Sequence, residues 1–248
     1  MRVYFDTNKG LLRENNEDNL LVSEAKYYSL YAVADGMGGH SAGEVASMIA
    51  LNTIKECFEN SEKDEKFKVP KFINESIQLA NIIIREEASK NIEYTGMGTT
   101  VTMAVIDLSL NIAYIGNIGD SRTYILKSDV IKQITEDHTY VHELFREGKI
   151  TADEAKKHPK KNVITRAVGS EEIMQVDIFE IELEENDIIL LCSDGLTTHL
   201  SDEIIFSTIQ KYGCEKSVEK LIEISNDSGG TDNITLIIVD TNKEVEKW

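Results

Sequence analysis

Two periodicities divide the chain before any chemistry is considered. Val45, Ala46, Ile49, Ala50, Thr53, Ile54, Cys57 and Phe58 recur in pairs every four residues, which lays one apolar stripe along a helix. Ser41 followed by Glu44 marks the start of that helix as a capping box. A charged loop, "NSEKDEKFK", separates it from a second amphipathic helix expected from about Pro70 to Lys90, with Phe72, Ile73, Ile77, Ala80 and Ile84 on its inner face. Residues 2–6 and 27–34 read as strands, the latter rich in aromatic and small apolar residues. Between 99 and 134 lie four β-rich runs, "TTVTMAVI", "NIAYIGN", "RTYIL" and "VIKQI". Their turns are so short that only antiparallel neighbours are possible. Residues 137–170 are polar and helical in pattern. Strands at 176–183 and 187–193, helices at about 202–211 and 215–227, and a last strand "NITLIIVD" complete the order. Strands, a helix pair, strands, a helix pair and a strand describe an α+β layered domain with helix pairs over largely antiparallel sheets, rather than alternating βα units.

Composition narrows the function classes. The 248 residues are 41% hydrophobic with only two prolines, enough to bury a substantial core and too apolar for disorder. No apolar run approaches membrane-helix length, and "MRVYFDTNKG" lacks a signal-peptide core, so the chain reads as cytosolic. The formal net charge of −18, from 44 acidic and 26 basic residues, disfavours nucleic acid and anionic membrane as partners. Cys57, Cys192 and Cys214 are widely spaced and read as thiols packed in helix and strand, without a disulfide or thiolate metal site.

Four aspartates border β-like runs: Asp35 in "YAVADG", Asp120 in "GNIGDSR", Asp194 in "LLCSDG" and Asp232 in "GGTDNIT". "RENNEDN" adds Arg13, Glu17 and Asp18. A lone Asp-Gly is ordinarily a hairpin turn, but Asp35-Gly36 and Asp194-Gly195 both lead into helical patterns instead. The glycines of "GMGGHSAG" fit no nucleotide loop. Ser41 stands where a dinucleotide fingerprint needs its third glycine, and Glu44 where a P-loop needs lysine. Carboxylates converging at strand ends serve hard cations, which take oxygen ligands and keep several waters. On this reading Asp35 bridges two ions and Gly36 offers its backbone carbonyl, and the ion pair acidifies a shared water.

Taken in order, "RENNEDN", "VADGMGGH", "GTT" (98–100), "GNIGDSR", "CSDGLT" and "GGTDNIT" resemble the metal-dependent protein phosphatases of the 2C type, the PPM family, in its bacterial serine/threonine-specific form. The likeness runs from about residue 2 to 240. It implies a four-layer α-β-β-α sandwich with two largely antiparallel central sheets. One catalytic domain would span 1–242, with a flap at about 137–170 and a short tail at 243–248. It also implies two Mn²⁺ or Mg²⁺ ions held by Asp35, Gly36, Asp194 and Asp232, and a third, weaker ion at Asp120 shared with Asp194. Asp18 would hold metal-bound water with Glu17 behind it, and Arg13 would clamp the substrate phosphate. The implied reaction is hydrolysis of phosphoserine and phosphothreonine in proteins by direct attack of a metal-bridging water, without a phosphoenzyme. Phosphorylated proteins, among them a cognate serine/threonine kinase, are the implied partners of a monomer. Many eukaryotic relatives have histidine directly after Asp-Gly. Met37 stands there in this chain, leaving the general acid unassigned between water at the Asp120 ion and His40. The competing reading is a catalytically silent binding module of the same fold, whose signature would be missing ligands. A two-metal nuclease is opposed by the acidic surface.

Overall fold

The computed structural model describes residues 1–39, 42–61, 67–170 and 172–242. His40, the Ser41 capping box and the 243–248 tail lie outside the described residues. One five-stranded sheet has the order β1 (Arg2–Asn8), β11 (Ile234–Asp240), β10 (Ile188–Cys192), β7 (Arg122–Lys127), β8 (Val130–Gln133). The other runs β2 (Asp18–Glu24), β3 (Tyr28–Met37), β5 (Val101–Asp107), β6 (Ile112–Ile118), β9 (Asp177–Glu182), with the short β4 (Gly98–Thr99) beside the end of β3. All the strand pairings are antiparallel. Helices α1 (Ala42–Asn60) and α2 (Val69–Lys90) cover the second sheet, and α5 (Asp194–Thr197) and α6 (Asp202–Asp227) cover the first. The outcome is the four-layer α-β-β-α sandwich. Short helices α3 (Tyr140–Arg146) and α4 (Ala152–Lys157) occupy the 137–170 segment.

Strand alternation sorts side chains between the layers. Leu30, Ala32 and Ala34 of β3 pack under α1 and α2, while Tyr31 and Val33 face the opposite sheet. Likewise Leu190 and Cys192 meet the helices, and Ile189 and Leu191 meet the inter-sheet core. Each fully buried Ile or Leu contributes about 1.5–3 kcal/mol, so three stacked apolar layers fix which face of every strand looks inward. Two elements differ from the sequence reading. Asp18–Glu24 is a full strand, although only partly apolar, because pairing with β3 supplies its backbone partners. The third strand continues through Asp35 and Gly36 to Met37, since β2 and β4 pair with its polar end. The two helices expected after residue 201 are present as the two parts of α6, which kinks at Gly213, where φ is +72° and ψ is 167°. Cys192 is fully buried, and Cys57 and Cys214 are partly so.

The inter-sheet layer changes character along its length. Its middle is aliphatic, with Ile106, Ile115, Ile189, Ile237 and Val239. Toward one end hydroxyl pairs replace them: Thr102 Oγ1 with Thr123 Oγ1 at 2.7 Å and Thr100 Oγ1 with Ser121 Oγ at 2.7 Å. Beyond the hydroxyls come the aspartates. A layer that is dry at the centre and acidic at its rim is what places the candidate site.

Candidate metal centre

Strand register brings the first two carboxylates together. Asp18 is directly opposite Asp35 in the β2–β3 ladder. Because Asp35 shares parity with Tyr31 and Val33, it falls on the face that looks toward the other sheet. Across the layer, Ser193, following β10, donates its hydroxyl to Asp18 Oδ2 at 2.7 Å and accepts the Thr235 amide of β11 at 3.0 Å. Asp194 opens α5 on the next position, and Asp232 precedes β11. Asp120 occupies the turn between β6 and β7, where the chain passes from one sheet to the other. Asp18 and Asp120 are buried, whereas Asp35, Asp194 and Asp232 are part-exposed.

The backbone of Asp35 is held from several sides. Its amide donates to Thr100 Oγ1 at 3.0 Å, and its carbonyl accepts the Thr100 amide and the Thr99 hydroxyl, each at 2.9 Å. That is the structural work of "GTT". Gly36 packs backbone to backbone against the first turn of α1: a Cβ there would lie 2.1 Å from the Gly43 carbonyl oxygen. Gly36 and Gly43 of "GMGGHSAG" therefore serve a close approach of helix to strand.

The N-terminal loop is stitched on by Asn233. Its side-chain amide donates to the carbonyls of Lys9 and Asn15, both at 2.9 Å, and its oxygen accepts the Glu17 amide at 2.8 Å. This delivers Arg13, whose Nη2 pairs with Asp232 Oδ2 at 2.8 Å while the side chain stays 50% exposed. Glu17 sits at the edge of the group; its carbonyl accepts Ser47 Oγ at 2.6 Å, and its carboxyl lies beside Gly43. Neither Asn233, Ser193 nor the Thr99–Thr100 pair was singled out from sequence as a site residue, because their partners lie far away along the chain.

So much negative charge in one place has electrostatic consequences. Burial raises the Asp18 pKa to about 7, with the Asp194 and Asp232 charges pushing the same way. Burial and then Asp194 push Asp120 to about 8. Burial and then Asp232 bring Asp194 to about 6. Asp35 is held well above the usual range by burial and by Asp18, Asp194, Asp120 and Asp232. Oδ1 atoms of Asp18, Asp120 and Asp194 are buried without a hydrogen-bond partner. Orphaned carboxylate oxygens are costly unless a cation accompanies them. Among the described residues, no three His, Cys, Asp or Glu side chains close on one point to form a ready cage. Such a cage is not what Mg²⁺ or Mn²⁺ requires. These ions keep several waters and take one or two carboxylates each, with backbone carbonyls among their oxygen ligands. The donor set is therefore one that fits hard divalent cations. A cleft of about 630 Å³ opens from Asp120 and Asp194 toward the 137–170 segment, past His142, Phe145 and Lys161.

Comparison with known proteins identifies the family. The family model for protein phosphatase 2C matches residues 13–235. The serine/threonine phosphatase stp of Listeria innocua is 38% identical over 245 residues, covering 98% of this chain and 96% of the relative. The serine/threonine phosphatase of S. agalactiae superposes with a TM-score of 0.91 at 32% identity, covering 97% of this chain and 99% of that one. The catalytic domain of the phosphatase PstP, solved with two manganese ions, gives a TM-score of 0.85 at 34% identity, with 98% of each chain covered. The chain belongs to the protein phosphatase 2C family.

Proposed function

We propose that this serine/threonine phosphatase hydrolyses phosphoserine and phosphothreonine in proteins by direct attack of water, with two divalent cations, Mn²⁺ or Mg²⁺, at Asp35, the Gly36 carbonyl, Asp194 and Asp232. A third, weaker cation belongs to Asp120 and Asp194. When bound, the cations supply the Lewis-acid chemistry that yields a nucleophile from water at neutral pH. The single observation that carries the reading is the set of buried, partnerless oxygens on Asp18, Asp120 and Asp194 beside Asp35 and Arg13.

The chain's own residues then have distinct tasks. Arg13, half exposed at the mouth, turns its planar fork to two phosphate oxygens and holds the group in line. As charge spreads over those oxygens in the transition state, the guanidinium stabilises it. Asp18, oriented by Ser193, offers its partnerless Oδ1 as a hydrogen-bond acceptor for the attacking water. Glu17 supports Asp18 from the edge and balances Arg13. Met37, at the end of β3, has no proton to give, so the leaving alkoxide draws its proton from another source, water at the Asp120 side or His40.

Phosphorylated proteins, a cognate kinase among them, reach the site through the open cleft beside Asp120 and Asp194 as substrates of a cytosolic monomer with a flap at 137–170. Among the described residues no helix is long and apolar enough to cross a membrane. The deciding experiment is phosphate release from a phosphothreonine peptide with Mn²⁺ or Mg²⁺, with and without chelator. Release that stops on chelation supports the proposal. Undiminished release in chelator, or none with metal, defeats it.

A further inference from the structure

We propose that His138 is a positioning residue for the reaction, a fixed neutral imidazole that sets the Gly119–Asp120 turn and ties it to β9. The proposal rests on the reading of Asp120 as a cation-binding carboxylate and extends it to a residue outside the carboxylate group.

The geometry defines the ring's state. His138 is 2% exposed, and its Nδ1 accepts the Gly119 backbone N–H at 3.0 Å. An amide N–H can only donate, so Nδ1 carries the lone pair. In a neutral ring the proton is then on Nε2, which faces Asp177 Oδ2 at 3.0 Å. The other Asp177 oxygen accepts Arg166 Nη1 at 3.0 Å, so the carboxylate is held in place from behind. Burial keeps the imidazole pKa below its ordinary value, in the direction this tautomer requires.

The same residue grips Gly119 a second time. The His138 backbone N–H donates to the Gly119 carbonyl at 2.9 Å, while its own carbonyl accepts Thr165 N–H at 2.8 Å. Gly119 is thus bonded at both its N–H and its C=O by one residue. On the other side it abuts Thr100: its φ is +102°, and a Cβ would lie 2.5 Å from Thr100 Cγ2. The turn is wedged between His138 and the threonine that holds Asp35. Asp120 follows immediately, and its Oδ1 has no protein partner. With nothing else anchoring that oxygen, the position of the carboxylate is the position of the turn. The ion pair of Arg122 with Asp137, at 2.8 Å, secures the residue before His138 to β7. The chain thus spends several buried polar groups on the location of one carboxylate, as outer partners of a metal ligand do.

Two substitutions separate the ring's two contacts. In His138→Asn, the amide oxygen can occupy the place of Nδ1 and accept from Gly119, but nothing reaches Asp177. In His138→Gln, the amide nitrogen can reach Asp177, but no acceptor remains for Gly119. Mn²⁺ binding is measured by calorimetric titration, and kcat and KM are measured on a phosphothreonine peptide. His138→Gln is expected to weaken the lowest-affinity Mn²⁺ site and lower kcat, each by about 10–100-fold, with KM little changed. His138→Asn, which keeps the Gly119 contact and loses only the tie to β9, is expected to lose clearly less than His138→Gln in both. Equal loss in the two variants, or wild-type Mn²⁺ affinity and kcat in His138→Gln, overturns the proposal. On the wild-type protein, nitrogen-15 NMR of the ring at neutral pH should show Nε2 protonated and Nδ1 bare, independently of how any variant folds. An Nδ1–H or doubly protonated ring overturns it as well. Absence of phosphatase activity in the wild type would instead sink the catalytic reading, while the titration and NMR arms still test the position of His138.

Discussion

At the scale of single residues, the decisive property is repulsion. Asp18, Asp35, Asp120 and Asp194 all have raised pKa values because burial and one another's charges disfavour ionisation. Replacing Asp194 with asparagine should therefore have two opposite effects. With Mn²⁺ present, kcat should fall by about 10²–10³-fold, since cation stabilisation supplies several kcal/mol to the transition state. In chelator, the variant should melt above the wild type, because one of the repelling charges is gone. A calorimetric melt and a peptide assay on the same preparation check both. Unchanged melting in chelator would mean the carboxylates do not strain the fold. Arg13 behaves differently, being half exposed and paired with Asp232. A hydrogen bond to a charged group contributes about 1.5–3 kcal/mol, so Arg13→Ala should lower kcat/KM by about 10–100-fold. Arg13→Lys should not restore it, because an ammonium lacks the fork. Steady-state kinetics on a phosphopeptide decide this, and full activity in the lysine variant would argue against a bidentate clamp.

At the scale of elements, the site depends on how closely α1 meets the end of β3. The Gly36–Gly43 contact leaves no room for a methyl group. Gly36→Ala must displace the first turn of α1 or the strand end, at a cost of about 1–3 kcal/mol. Thermal melting should register that loss, and Mn²⁺ titration should show weaker binding from the shifted Gly36 carbonyl. An alanine variant with wild-type melting and affinity would show that the approach is slack. The elements themselves were largely legible in the sequence. The α1 stripe follows from period, because one face of the helix is buried, and the runs from 99 to 134 follow from their β-rich composition and very short turns. Asp18–Glu24 was not legible as a strand. Its side chains are mostly intermediate in burial, and its order comes from pairing with β3.

For the molecule as a whole, the acidic rim couples stability to pH and to cations. A carboxylate whose folded pKa is raised binds its proton more tightly folded than unfolded. Its contribution is full below the unfolded value of 3.8 and fades as pH rises through about 6 for Asp194, 7 for Asp18 and 8 for Asp120. In chelator, the melting temperature should therefore decline between about pH 5 and pH 8. Saturating Mn²⁺ should remove that decline, and at about 100 times its Kd a ligand adds about 2.7 kcal/mol. Scanning calorimetry across that range, with and without Mn²⁺, measures both; a flat profile in chelator would contradict the electrostatics.

What the sequence by itself determined is local. It set the strand and helix faces, the four aspartates at strand borders, the glycines beside them, and the ordered motifs that carry the family resemblance. What only the tertiary structure decided is which of these groups share one electric field. Asp18 meets Asp35 through β-register, Ser193 reaches Asp18 across the sheets, and Asn233 pins the loop that carries Arg13. His138 had no place in the sequence reading, since its partners Gly119 and Asp177 are set by packing around a turn and a neighbouring strand. The physical reason is range. Periodicity records burial along a few residues, whereas desolvation and carboxylate repulsion arise only once distant segments have closed around the same small volume.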